Sequence, residues 1–148
     1  MSRPIRNAKG GVIYHVLNRA NGRLRIFKTA RDFAAFEQIL AEGAERFSLR
    51  ICGYCLMSNH WHLVLWPRRD GDLPVFMKWI TGTHSHRWHA AHGTAGIGHL
   101  YQGRYKSFPV QGSIYYYTVL RYVEGNPRRA GLVDRARQWR WSSLVGRL

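Results

Sequence analysis

Two histidines, His60 and His62, flank Trp61, and a tyrosine, Tyr122, stands far downstream in the run Arg121-Tyr-Val-Glu-Gly-Asn-Pro127. On a strand, side chains alternate between faces, so both imidazoles point one way and Trp61 the other. Two imidazoles on one face can grip a single metal ion. A phenol brought nearby can attack a phosphate that the ion polarises. The chemistry these residues offer is therefore cleavage of a phosphodiester.

Composition narrows the alternatives. Lys and Arg number 23 against 8 acidic residues, a net charge of +15. Such an excess opposes a compact fold by self-repulsion, so an anionic partner is expected. Aromatic residues make up 14% of the chain, and basic grooves with stacking rings suit single-stranded nucleic acid. The acids are Asp32, Glu37, Glu42, Glu45, Asp70, Asp72, Glu124 and Asp134, with none between Asp72 and Glu124. An all-carboxylate two-metal nuclease needs several acids converging on one place, so a phosphate site here has to use His, Tyr, amides and basic side chains. Cys52 and Cys55 are the only cysteines, too few for a secreted disulfide framework. No apolar run approaches the roughly 18 residues that would span a bilayer, and a cytoplasmic, nucleoid-associated protein without a membrane partner is expected.

The positioning elements read as one domain over 1–148, with a basic arm at 1–10 and a C-terminal extension at 132–148. A first strand covers 11–18, and Asn21-Gly22 marks a turn. Thr29 caps a helix whose Phe33, Phe36, Ile39, Leu40, Ala44 and Phe47 recur at helical spacing. Gly43 weakens its far end. Strands follow at 49–57 and 60–66, joined by Ser58-Asn59 as a two-residue hairpin connection. Asp72 is the expected cap of a second helix reaching Ala91. A glycine-rich loop at 92–98 precedes a fourth strand at 105–110. The order βαββαβ is the ferredoxin-like α+β arrangement, an antiparallel sheet with two helices on one face. Ser113 is expected to cap a further helix, bearing Tyr122 and ending before Pro127.

On that helix Tyr122 shares a face with Tyr115, Thr118 and Val119. Asn126 lies one turn beyond and offers a third metal ligand through its amide. The run Tyr115-Tyr116-Tyr117 reads as packing. Cys52-Gly-Tyr-Cys55 has no second pair, and strand alternation puts its cysteines on opposite faces, so zinc or redox work there is not expected. His84, His86, His89 and His92 cluster on the second helix, read as a solvated or DNA-facing surface.

The runs Tyr14-His-Val-Leu-Asn-Arg19, Cys55-Leu-Met-Ser-Asn-His-Trp-His-Leu-Val-Leu65, Gln102-Gly-Arg-Tyr-Lys106, Arg121-Tyr-Val-Glu-Gly-Asn-Pro-Arg-Arg-Ala-Gly131 and Trp139-Arg-Trp-Ser-Ser143 resemble the REP-associated tyrosine transposases, relatives of the single-tyrosine HUH transposases. The resemblance spans nearly the whole chain. It implies single-stranded DNA cleavage, a divalent metal (Mg²⁺ or Mn²⁺) and a covalent 5′-phosphotyrosine intermediate. His60 and His62 match the metal pair, Tyr122 the nucleophile and Asn126 the amide position four residues on. It also implies palindromic repeat hairpins as partners, with the protein a monomer or homodimer. Two departures stand out: Ser58 where the family often has proline, and Gly125 in place of a bulkier residue.

Contacts to DNA are expected from Arg3, Arg6 and Lys9 in the arm, His15 and Arg19 on or after the first strand, Arg104 and Lys106 beside the fourth, and Arg128 and Arg129 after the tyrosine helix. A noncatalytic binder is the rival class, because RNA-recognition modules share the βαββαβ order. Such a module needs neither paired histidines nor a tyrosine helix. A domesticated relative that binds chromosomal repeats is the third reading.

Overall fold

The computed structural model describes residues 8–22, 24–96 and 98–147. Arg3 and Arg6, expected in a DNA-contacting arm, lie outside them. Four strands, β1 (Ile13–Arg19), β2 (Arg50–Met57), β3 (His60–Trp66) and β4 (Lys106–Val110), form one antiparallel sheet in the order β2-β3-β1-β4. Helix α1 (Ala30–Arg46) links β1 to β2, and α2 (Asp72–His92) links β3 to β4. This is the ferredoxin-like α+β arrangement. β3 and β1 take the two central positions, as the apolar character of both faces of β3 requires.

Two apolar layers hold the sheet. Tyr14, Val16, Trp61, Leu63 and Leu65 point to one side and pack with Phe33, Phe36 and Ile39 of α1 and Phe76 and Ile80 of α2. The two helices cross at Gly43, where an added Cβ would stand 2.9 Å from Phe76 Cε2. Gly43 therefore does not fray α1, as its helix propensity suggests; its small size lets α2 approach. On the other side, Cys55, Met57, Val64 and Val110 pack with Val119, Leu120 and Val123 of α3 (Ser113–Glu124).

Helix starts follow the sequence unevenly. Thr29 Oγ1 accepts from Asp32 N while Asp32 accepts from Thr29 N, a reciprocal cap. Asp72 and Ser113 are instead the first helical residues. Gly71 and Gly112 occupy the cap positions at φ 82° and 84°, with no side-chain capping bond, a backbone region that glycine enters without steric cost. The cysteines also depart from expectation. A bulge between Ile51 and Gly53 breaks strict alternation, so Cys52 packs with Cys55 on the α3 side rather than opposite it. Burial, with the Glu124 carboxylate nearby as the lesser cause, pushes the Cys55 thiol up to about 12, and both cysteines are free.

After α3 come a short helix α4 (Asn126–Arg129), a 3₁₀ turn at Ala136–Gln138 and α5 (Ser143–Arg147). This extension closes the β2 edge. Leu56 N donates to Trp141 O, Trp139 Nε1 donates to Leu56 O, and Cys55 bridges Ser142. Among the described residues, no helix is long and apolar enough to cross a membrane.

Candidate active site

The sheet register gathers the histidines. His62 stands opposite Leu17 of β1 and Cys55 of β2, and His60 stands opposite Arg19. Directly paired residues share a face, so both imidazoles lie on the α3 side, as alternation from Trp61 requires. His15, two residues before Leu17, joins them: its ring stacks on His62 at 5.2 Å between centroids, and its Nε2 is 3.0 Å from His62 Nδ1. His60 and His62 lie edge to face at 5.4 Å.

His60 Nδ1 is 2.7 Å from Asn59 Oδ1, an oxygen that only accepts, so Nδ1 carries the hydrogen and Nε2 keeps its lone pair. If His62 Nδ1–H likewise donates to His15 Nε2, His62 also presents Nε2. An imidazole ligand needs this preparation: neutral, with its second N–H engaged by an acceptor. Burial, aided by the neighbouring His15, His60 and Arg129, pushes the His62 imidazolium down to about 3. Burial also lowers His60, with Arg19 adding to the effect, and burial lowers His15. All three rings are thus held neutral at pH 7.

Tyr122 reaches this cluster from α3. Its ring is 6.1 Å from His62 and 6.2 Å from His15, edge-on to both, and it remains 50% exposed. Sheet contact on α3 falls to Tyr116, Val119, Leu120 and Val123. Val119 is thus buried rather than sharing the open flank with Tyr122. Tyr115 and Tyr117 are 51% and 63% exposed, so of the three consecutive tyrosines only Tyr116 serves packing.

The chain past Tyr122 is nearly continuous helix. Gly125 N donates to Arg121 O, Arg129 N to Gly125 O and Ala130 N to Asn126 O. Asn126 therefore stays one turn beyond Tyr122 and is half-buried, despite the bias that Pro127 imposes. Arg129, an expected DNA contact, is exposed and folds back along the helix: its guanidinium carbon lies 4.4 Å from the centre of the Tyr122 ring, and Nη2 donates to Tyr122 O. Gly125 makes this route available, because a Cβ there would stand 2.8 Å from Arg129 Nη1. Sequence reasoning did not anticipate this contact, although a spacing of seven on one helix face signals it.

A half-exposed phenol beside neutral imidazoles is chemically able to serve phosphoryl transfer. The model of the IS200-like transposases matches residues 8–126. The chain belongs to the IS200-like transposase family. Among solved structures, a REP-associated tyrosine transposase bound to a REP hairpin superposes with TM-score 0.80, at 19% identity over 99% of this chain and 84% of that one. A Deinococcus radiodurans R1 protein provisionally assigned as a transposase superposes with TM-score 0.58, at 18% identity over 84% of this chain and 97% of that one. Both share the fold. No curated protein matches the chain.

As an IS200-like transposase the chain processes DNA, and the remaining residues can be placed against that role. Arg19, Arg104 and Lys106 are exposed and line one cavity beside the imidazole face. Lys9 is exposed, and its carbonyl accepts from the Tyr14 phenol. Arg128 lines a separate cavity behind α3. The histidines of α2 are not a uniformly solvated surface. His84 is buried and meets the Tyr101 phenol at 2.5 Å, and His92 pairs with Asp32 at 3.1 Å. His89 engages Thr94, while His86 is exposed. Among the described residues no three His, Cys, Asp or Glu side chains gather into a metal-binding group. His60 and His62 could hold a divalent ion between them, and Asn126, expected as a third ligand, lies one turn past the tyrosine.

Proposed function

We propose that this protein is a single-stranded DNA endonuclease and strand transferase that works through a covalent 5′-phosphotyrosine, with repeat-derived hairpins as its substrate. The observation that carries the reading is the half-exposed Tyr122 ring 6.1 Å from His62, on the sheet face that also bears His60 and His15. His60, His62 and Asn126 would hold a Mg²⁺ or Mn²⁺ ion, which when bound supplies charge neutralisation at the phosphate and orients its oxygens.

The chain's own residues account for the rest. Asn59 and His15 fix the two imidazoles by accepting their second N–H groups. Arg129 holds the Tyr122 ring by its face and by its carbonyl, which limits the rotamers the phenol visits and keeps it near attack geometry. The Tyr122 Oη–P bond forms as the P–O3′ bond breaks. The phenol loses a proton and the departing 3′ oxygen gains one. One phosphodiester is exchanged for another, so a second 3′-hydroxyl can reverse the step and join strands without a nucleotide cofactor.

The test is incubation with Mn²⁺ and end-labelled single-stranded repeat hairpins, followed by denaturing electrophoresis. A protein–DNA adduct is expected for the native chain. It should vanish in Tyr122→Phe, which should still retard the hairpin in a native gel. His60→Ala should lose metal-dependent cleavage. An adduct of unchanged yield in Tyr122→Phe overturns the assignment, and absence of any adduct with the native chain favours a binder without catalysis.

A further inference from the structure

The sheet register sets two residues of β4 beside the candidate active site. Lys106 pairs with Leu17, as His62 does from the other side of β1, and Phe108 pairs with His15. Directly paired residues share a face, so Lys106 and Phe108 stand on the same side of the sheet as His60 and His62. The Phe108 ring lies 6.3 Å from the His15 ring, which in turn lies 6.2 Å from Tyr122. Lys106 is exposed and sits two residues from Phe108, about 7 Å along the strand.

Packing does not account for Phe108. It is 49% exposed and belongs to neither apolar layer. An open apolar ring on an edge strand invites pairing with another chain. Pro109 closes off that use here, since a proline in an edge strand turns its missing N–H toward the free edge and leaves an incoming strand without a donor. The tyrosine helix continues the pattern. Tyr115, two turns before Tyr122 on the same flank, is 51% exposed and also belongs to neither layer. Helix α3 begins three residues after β4 ends, so Tyr115 lies on the β4 side of Tyr122. From the candidate nucleophile toward the sheet edge, the surface is therefore a strip of open rings bordered by a lysine.

We propose that Phe108 is a stacking platform for the base of the nucleotide next to the scissile phosphate, with Lys106 on the adjoining phosphate; this rests on the single-strand reading of the candidate active site. Aromatic side chains with basic neighbours are how proteins hold unpaired strands, because every base has a face to stack. Phe108 has no polar atom, so it positions a base without reading its identity. Fixing that base restricts the phosphate beside it, and a phosphate held still opposite Tyr122 needs less ordering to reach in-line attack. Phe108 is thus a positioning residue.

The test uses the full chain carrying Tyr122→Phe, so that no strand is consumed. The probe is a repeat hairpin whose single-stranded flanks carry 2-aminopurine, a base that loses fluorescence on stacking, at one position at a time. Binding should quench the probe most at one or two adjacent positions. Phe108→Leu should relieve that quenching and weaken binding by about 5- to 150-fold, the worth of stacking one base, whereas Phe108→Trp should retain both. An abasic nucleotide at the quenched position should cost the Phe108 protein a similar factor and cost the Phe108→Leu protein almost nothing more. Exchanging one base for another there should matter less than removing it. Lys106→Ala should reduce the salt dependence by about one phosphate. Equal quenching with and without the Phe108 ring overturns the proposal, as do abasic and Phe108→Leu penalties that simply add. Because the readout is binding, failure of the native chain to form an adduct would sink the transesterase reading without touching this one, and a lost stacking signal beside an intact adduct would do the reverse.

Discussion

Replacing Asn59 by alanine removes the acceptor that fixes the His60 tautomer and nothing else that holds the turn. The Ser58-Asn59 backbone is pinned from outside, since Phe27 N donates to Ser58 O and Ala20 N to Asn59 O, and both bonds survive the substitution. The lost His60 Nδ1–H to Asn59 Oδ1 bond is 2.7 Å long and between half-buried partners, so its net worth to stability is about 1 kcal/mol. For a chain of this length that lowers Tm by about 2–4 °C. The functional effect is larger, because an imidazole free to rotate or switch tautomer no longer offers Nε2. Losing the acceptor behind a ligating histidine costs about 10- to 100-fold in metal affinity or activity. Adduct yield titrated against Mn²⁺ should therefore show a midpoint raised by that factor, with yield recovered at saturating Mn²⁺. Asn59→Asp, which keeps an acceptor, should titrate close to the native chain. A midpoint within about twofold of native in a folded Asn59→Ala protein, judged against that expected range, refutes the assignment of His60 as a prepared ligand.

Tyr101→Phe leaves the buried Trp61 N–H and His84 Nδ1 without their shared partner and should cost about 2–4 kcal/mol in urea unfolding; a loss below about 0.5 kcal/mol would mean that the two groups find other partners. Burial holds His84 and His62 far below the unfolded value of about 6.5, so the unfolded chain takes up their protons first. Their contribution is present above pH of about 6.5 and is lost as pH falls toward 3, at up to about 1.4 kcal/mol per pH unit for each ring; a His84→Gln profile no shallower than native would contradict this. Gly43→Ala gains about 1 kcal/mol of helix propensity but drives a methyl to 2.9 Å from Phe76 Cε2, an overpacking cost of about 1–3 kcal/mol. The net result should be a lower unfolding midpoint, and a higher one would show that α2 can yield. Arg129→Met keeps the side-chain stem and removes the ring and carbonyl contacts, worth about 1–2 kcal/mol together. Single-turnover adduct formation should slow by roughly 5- to 30-fold, with hairpin affinity read in parallel to separate a lost phosphate contact from a lost ring contact.

The strands and the histidine pair were legible because their signals are local. Alternation alone put His60 and His62 on one face of β3, and the two-residue Ser58-Asn59 connection set its start. The reciprocal cap at Thr29 and Asp32 was equally local. What escaped depends on distance along the chain or on broken periodicity. His15 meets His62 only through the β1–β3 register, which no single segment encodes. One extra residue at the bulge moved Cys52 to the side of Cys55. Asp72 and Ser113 have capping chemistry, yet the preceding glycines take the cap positions, because the incoming chain there requires positive φ. The Arg129–Tyr122 contact likewise spans two turns: the backbone bonds run almost unbroken through Gly125 and bring the guanidinium back onto the tyrosine.

Tyr122, the proposed nucleophile, rides on the thinner of the two apolar layers. Helix α3 is fastened by a handful of medium-sized side chains around Val64 and Val110, whereas the layer beneath the opposite face holds most of the large aromatic residues. Lifting α3 away would uncover little of the latter, so amides of the tyrosine helix should exchange with solvent well before those of α1 and β3. In the proposed reaction a strand end tethered to Tyr122 would have a mount that can swing while the platform under it stays assembled.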